Sequence, residues 1–232
     1  GDELHVKCVV RVGSAEINPS TRLRSGDVPD VVVFYDGIND VFSALQNGVA
    51  GLPQNEANRA LEFNATRPES LGKAFQVLLS GMRTLAEGVQ RRVTRRALAT
   101  APAPKAGLAQ SVIDQVCANT RIVGALGREF GFLPVFFRQP VIFTKPTLTA
   151  YEQAEQDRQL FARGLFSETY GLMARAPASC PVLNVHDLSQ VFADDGRPYY
   201  VDAFHLTEQG NQRVVEAMMP TLLEAIVAVV PR

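Results

Sequence analysis

The chain has 232 residues, 23 Lys and Arg against 24 Asp and Glu, and a formal net charge of −1. At 46% hydrophobic and 20% charged residues it is rich enough to bury a core, which excludes a disordered or low-complexity chain. The charge balance argues against a general nucleic-acid binder, and no apolar run approaches the length of about 18 residues that a membrane span requires.

Four apolar runs read as strands. His5 to Val12 is Val-rich, Asp30 to Tyr35 and Phe132 to Phe137 are continuous apolar runs, and Pro181 to His186 is the fourth. Continuous β-branched and aromatic runs suit strands buried on both faces, as in a parallel sheet with helices on each side. Helical spacing covers Ala109 to Phe130, closed by Gly131, then Glu152 to Met173, then Thr207 to Val229. In the last of these, Thr207 is the expected N-cap. Val214, Val215, Met218, Leu222, Leu223 and Ile226 form the expected buried stripe, and Pro220 is expected to kink or divide the helix. Strands alternating with helices predict one α/β domain over 1–232. Two segments, 42–105 and 144–177, read as insertions. Ser43 and Ser189 read as helix-start residues, and His186-Asp187 as a strand end leading into an Asp-capped helix.

Cys8, Cys117 and Cys180 lack CxxC spacing and read as buried thiols or at most one bridge. No His, Cys and Asp cluster has metal-ligand spacing, so no cofactor or metal is expected.

The residues with chemical potential sit at strand ends, where open α/β sheets bind ligands. The second run ends Tyr35-Asp36-Gly37-Ile38-Asn39-Asp40. Gly37 lets the backbone leave the sheet sharply, and the Asn39 amide is a donor suited to a developing oxyanion. By itself this motif also reads as a polar turn. Near the C-terminus, Asp202-Ala-Phe-His205 places a carboxylate and an imidazole three apart on a turn, so that Asp202 can orient His205 as a general base. Gln139 ends a strand on the same side, where its amide meets either substrate or loop backbone.

Together, VPDVVVFYDGIND and YVDAFHLTEQGNQRVVEAM resemble the signature blocks of the SGNH (GDSL-type) hydrolases, and the resemblance runs from about Val6 to the C-terminus. It implies a flavodoxin-like three-layer α/β/α sandwich and Ser-His-Asp ester chemistry on a small-molecule or glycan ester. His205 is then the base, Asp202 its orienter, Asn39 an oxyanion donor, and Gly37 and Asp40 shape the site. Gly13 becomes a second oxyanion donor.

The family's nucleophilic Ser belongs to a Gly-Asp-Ser block after the first strand. Gly1-Asp2-Glu3 carries Glu there, and a parallel crossover of about a dozen residues does not fit between Glu3 and the Val-rich run. The expectation is a chain that lacks the first strand and its Ser. Ser14 is set aside as a substitute because it belongs to a different strand end. The missing strand is expected to leave a gap between His5–Val12 and Asp30–Tyr35, with distortion near residues 1–30. An inactive fragment or pseudoenzyme, and an acyltransferase on the same fold, are the alternatives. The resemblance leans toward export or membrane tethering; oligomeric state is left open.

Overall fold

A computed structural model describes residues 8–12 (backbone), 28–54, 106–175 and 185–229. Strands β1 (Cys8–Val12), β2 (Val31–Asp36), β3 (Leu133–Arg138) and β4 (Val185–Asp187) form one sheet in the order β1-β2-β3-β4, all neighbours parallel. The helices are α1 (Ile38–Asn47), α2 (Leu108–Phe130), α3 (Ala150–Arg158), α4 (Leu160–Arg175) and α5 (Glu208–Val229). The fold is α/β, with helices on both sides of a small parallel sheet.

Residue alternation along the strands decides which layer each side chain enters. Val31, Val33, Val135 and Phe137 pack with Val214, Met218 and Ala225 of α5. On the other side, Ile38, Val41 and Ala44 of α1 pack with Val112 of α2 and with Leu165, Phe166 and Tyr170 of α4. Side chains of this size contribute about 1.5–3 kcal/mol each when fully buried.

The strand runs lie within a residue or two of their expected places where they are described; residues 1–7 and 181–184 lie outside the described residues. The gap expected between the first two runs is absent. β1 pairs directly with β2, in register from Cys8↔Val31 to Val12↔Tyr35. Ladder bonding satisfies backbone groups that a gap would leave orphaned.

Other expectations are corrected. Phe42 does not begin an insertion: it lies inside α1, and only 55–105 of that segment falls outside the described residues. The stretch from Glu152 to Met173 is two helices, interrupted at Gln159, and the first starts earlier than expected, at Ala150, where Thr149 and Glu152 form a reciprocal capping box. Of the two outcomes expected at Pro220, division does not occur, since α5 continues through it. As expected, Thr207 caps α5 by accepting the Gly210 N–H. Of the stripe expected on α5, Val215 and Leu223 are exposed, whereas Val214 and Met218 are buried. Asp187 caps a turn through the Ser189 N–H, not a helix. Ser43 lies in the second turn of α1, where its hydroxyl donates to Asp40 O, and Ser189 lies in the turn after β4, so neither starts a helix. Cys117 is disulfide-bonded.

Candidate functional site

Asp202 and His205 lie in the loop before α5. His205 Nδ1 is 2.8 Å from Asp202 Oδ2, while Asp202 Oδ1 accepts the backbone N–H groups of Phe204 and His205, each at 2.8 Å. One carboxylate therefore folds the turn with one oxygen and orients the ring with the other. Burial by itself would raise the Asp202 carboxyl, but the Phe204 N–H, the His205 ring and the His205 N–H outweigh it and hold it below its ordinary value. With Nδ1 engaged, Nε2 is the nitrogen free for proton transfer, and the ring is 78% exposed.

The loop is fixed from several sides. Ala203 O accepts the Ile142 N–H just past β3, and Val201 N–H donates to His205 O. Gly210, in the first turn of α5, has no Cβ because Tyr199 O would lie 2.7 Å from one. That close approach accompanies a Thr207 N–H bond to Tyr199 O. Below the loop, Lys145 Nζ bonds both oxygens of Glu152 at 2.8 and 2.7 Å and also donates to Arg197 O. Glu152 accepts the N–H groups of Tyr199 and Tyr200 as well. Desolvation would raise Glu152, but the Lys145 bond leads the contacts that lower it. Sequence spacing gives no sign of this network, because its members come together only through the fold.

Gly37, Asn39 and Asp40 come from the β2–α1 turn. Gly37 has φ +129°, in the region that favours glycine, and a Cβ there would lie 3.3 Å from the Tyr170 hydroxyl and 3.5 Å from Arg138 Cγ. Gly37 supplies no side-chain cap to α1; the Ile38 N–H instead donates to Gln139 Oε1 at 3.3 Å. This answers the open question at Gln139, whose amide oxygen serves loop backbone. The Tyr170 hydroxyl donates to Gln139 O at 2.9 Å and locks the same corner. Asn39 Oδ1 accepts from Gln54 Nε2 at 3.0 Å, which engages the amide oxygen.

The turn and the dyad loop occupy the same end of the sheet. Phe204, beside His205, packs edge-on against Phe42 of α1 at 5.4 Å between ring centroids, one helical turn beyond Asn39. A cavity of about 480 Å³ opens at Gly37, Asn39 and Asp40 and runs between α2 and the sheet face carrying Phe34 and Phe136. The structure thus brings Gly37, Asn39 and Asp40 into one wall, and Asp202 with His205 into one hydrogen-bonded pair. Gly13 and Ser14 lie outside the described residues. No group of three or more His, Cys, Asp or Glu that could hold a metal occurs among the described residues, and no described helix is long and apolar enough to cross a membrane.

No family model matches this chain, and no curated protein matches it.

Proposed function

We propose that this chain is an SGNH-type ester hydrolase on a flavodoxin-like core, with His205 as its base and Asp202 as the orienter of that base. The observation behind the reading is the Asp202–His205 pair, ordered by three hydrogen bonds at the sheet end that also bears Asn39. The sequential order β2-β3-β4 fits the third to fifth strands of a flavodoxin-like sheet.

In this reading a serine hydroxyl attacks the ester carbonyl while His205 Nε2 takes its proton. Asp202 holds the ring and stabilises the imidazolium, and the Asn39 amide donates to the oxyanion. Collapse of the intermediate breaks the ester C–O bond, and His205 returns the proton to the departing alkoxide. Water then enters, gives a proton to Nε2, and releases the acid. Acyl transfer follows the same steps with an alcohol in place of water.

The second reading is a ligand-binding protein without turnover. It draws on one feature: among the described residues, none of the serines, Ser43, Ser111, Ser167 and Ser189, makes a hydrogen bond to the His205 ring.

The test is hydrolysis of short-chain p-nitrophenyl esters by the chain and by His205→Ala. Turnover that disappears in the variant supports the hydrolase. Turnover unchanged in the variant overturns it, and no turnover in either favours the binding protein.

A further inference from the structure

Asp202 and His205 have little packing of their own. The imidazole is 78% exposed and the Asp202 side chain 42% exposed. The hydrogen bonds that order the pair are all made within residues 202–205. They set the shape of the turn but not where the turn stands on the protein. A side chain without packing of its own takes its place from the neighbours that support it.

The two residues between Asp202 and His205 are the seated ones. Ala203 is fully buried in the core beneath α5, and its O accepts the Ile142 N–H. A methyl group reaches no further, but the Phe204 ring crosses to the helices of the other face. Its centroid is 5.3 Å from Phe166 of α4 and 5.4 Å from Phe42 of α1. It is 6.2 Å from Phe143, in the 3₁₀ turn Ile142–Thr144 after β3. Phe42 and Phe143 meet it at 65° and 66°, the edge-to-face arrangement that aromatic pairs prefer. Rings from three separate elements therefore fix its position.

Phe204 is tied to both halves of the site. Its backbone N–H donates to Asp202 Oδ1, which grips the carboxylate. Its ring rests on Phe42, three residues after Asn39 and so on the same side of α1. Contact thus runs from the Asn39 turn along α1 to Phe42, then through Phe204 to the dyad.

We propose that Phe204 is a positioning residue: seated on Phe42, it sets where the Asp202–His205 pair stands relative to the Asn39 turn. The coupling is independent of the hydrolase reading, and only its effect on turnover rests on that reading.

The test is 15N nuclear magnetic resonance of the chain, of Phe42→Leu and of Phe204→Leu. Leucine keeps each position apolar and removes the ring. Phe42→Leu is the sharper probe, because Phe42 belongs to α1 and not to the dyad loop. Ring 15N shifts at about pH 9, where histidine is ordinarily neutral, give the share of His205 protonated at Nδ1, the form that the Asp202 bond favours. Order parameters of the Phe204 and His205 N–H groups report loop rigidity, with about 0.85 expected in the wild type. In both variants they should fall by about 0.1 or more, while Val214 and Met218 of α5 keep theirs. The share of His205 protonated at Nε2 should rise at least about twofold.

Either signal unchanged in Phe42→Leu overturns the proposal, since the turn then holds itself by its own hydrogen bonds. So does a flexible loop in the wild type, a matching fall at Val214 and Met218, or no change in folded Phe204→Leu. If Phe204→Leu does not fold, Phe42→Leu decides. Where the chain turns over p-nitrophenyl esters, Phe42→Leu should lower kcat about tenfold with KM within about twofold, and an unchanged kcat overturns the positioning role. Failure of the hydrolase reading shows instead as turnover unchanged in His205→Ala.

Discussion

Lys145 and Glu152 form an ion pair whose side chains are both completely buried, with Nζ 2.7 Å from Oε2. The pair fastens α3 to the 197–200 backbone that leads into Asp202 and His205. Glu152→Gln leaves a buried ammonium without its counter-charge, and the expected loss is about 3–5 kcal/mol of folding stability. The urea midpoint, compared with wild type at pH 7, measures it.

The same carboxylate predicts an acid limit. Glu152 and Asp202 both titrate below their ordinary values in the folded chain. The unfolded chain therefore takes up these protons first as pH falls. The stability they contribute is complete above the ordinary carboxylate range near pH 4 and is lost as pH falls through the lower folded values. Thermal midpoints should hold from pH 7 to about 5 and drop below it. The drop should be shallower in Glu152→Gln.

Asp202→Asn separates orientation from folding. An asparagine oxygen can still accept from the Phe204 and His205 N–H groups, but its NH2 cannot accept from Nδ1–H. In a form of the protein that turns over esters, kcat should fall by about four orders of magnitude, as in other carboxylate–histidine–serine sites. Thermal stability should change by less than about 1 kcal/mol.

Gly210→Ala places a methyl group where Tyr199 O already stands, 2.7 Å from the Cβ position. Backbone has to move at the start of α5, and the expected cost is about 1–3 kcal/mol. In an ester-hydrolysing form it should also slow turnover, since Thr207 and Tyr199 flank the dyad. Chemical denaturation together with the p-nitrophenyl assay reads both effects.

Pro220 removes one ladder donor in the middle of α5. Pro220→Ala restores it, and since proline inside a helix costs about 3 kcal/mol relative to alanine, the thermal midpoint should rise. A fall would show that the proline at this position serves the packing of Met218 and Ala225 on the sheet.

The sequence made the strands legible because continuous Val and Phe runs such as DVVVFY have few alternatives to a buried parallel strand. The helix of α2 was legible from its spacing and Gly131. The Asp202–His205 pair was legible because three residues on one turn suffice to bring the groups together. The direct β1–β2 ladder was not, because pairing depends on backbone, which carries no residue code. The burial of Val214 and not Val215 on α5 is a matter of helix rotation by 100° per residue, set by the sheet beneath. Arg138 and Asp187, 49 positions apart, meet only after β3 and β4 align, so nothing local announces their pair.

The β2–β3 ladder joins Val31 to Leu133, neighbours in space separated by about a hundred residues of chain. During synthesis at about 5–20 residues per second, β2 leaves the ribosome some 5–20 seconds before its partner exists. Through that interval one edge of VVVFYD has no β3 to bond, and its Phe34 has no Phe136 to stack on. Newborn chain is therefore at its stickiest in the middle of translation, and yield in a cell should depend on elongation speed and holdase supply more than on the stability of the finished fold.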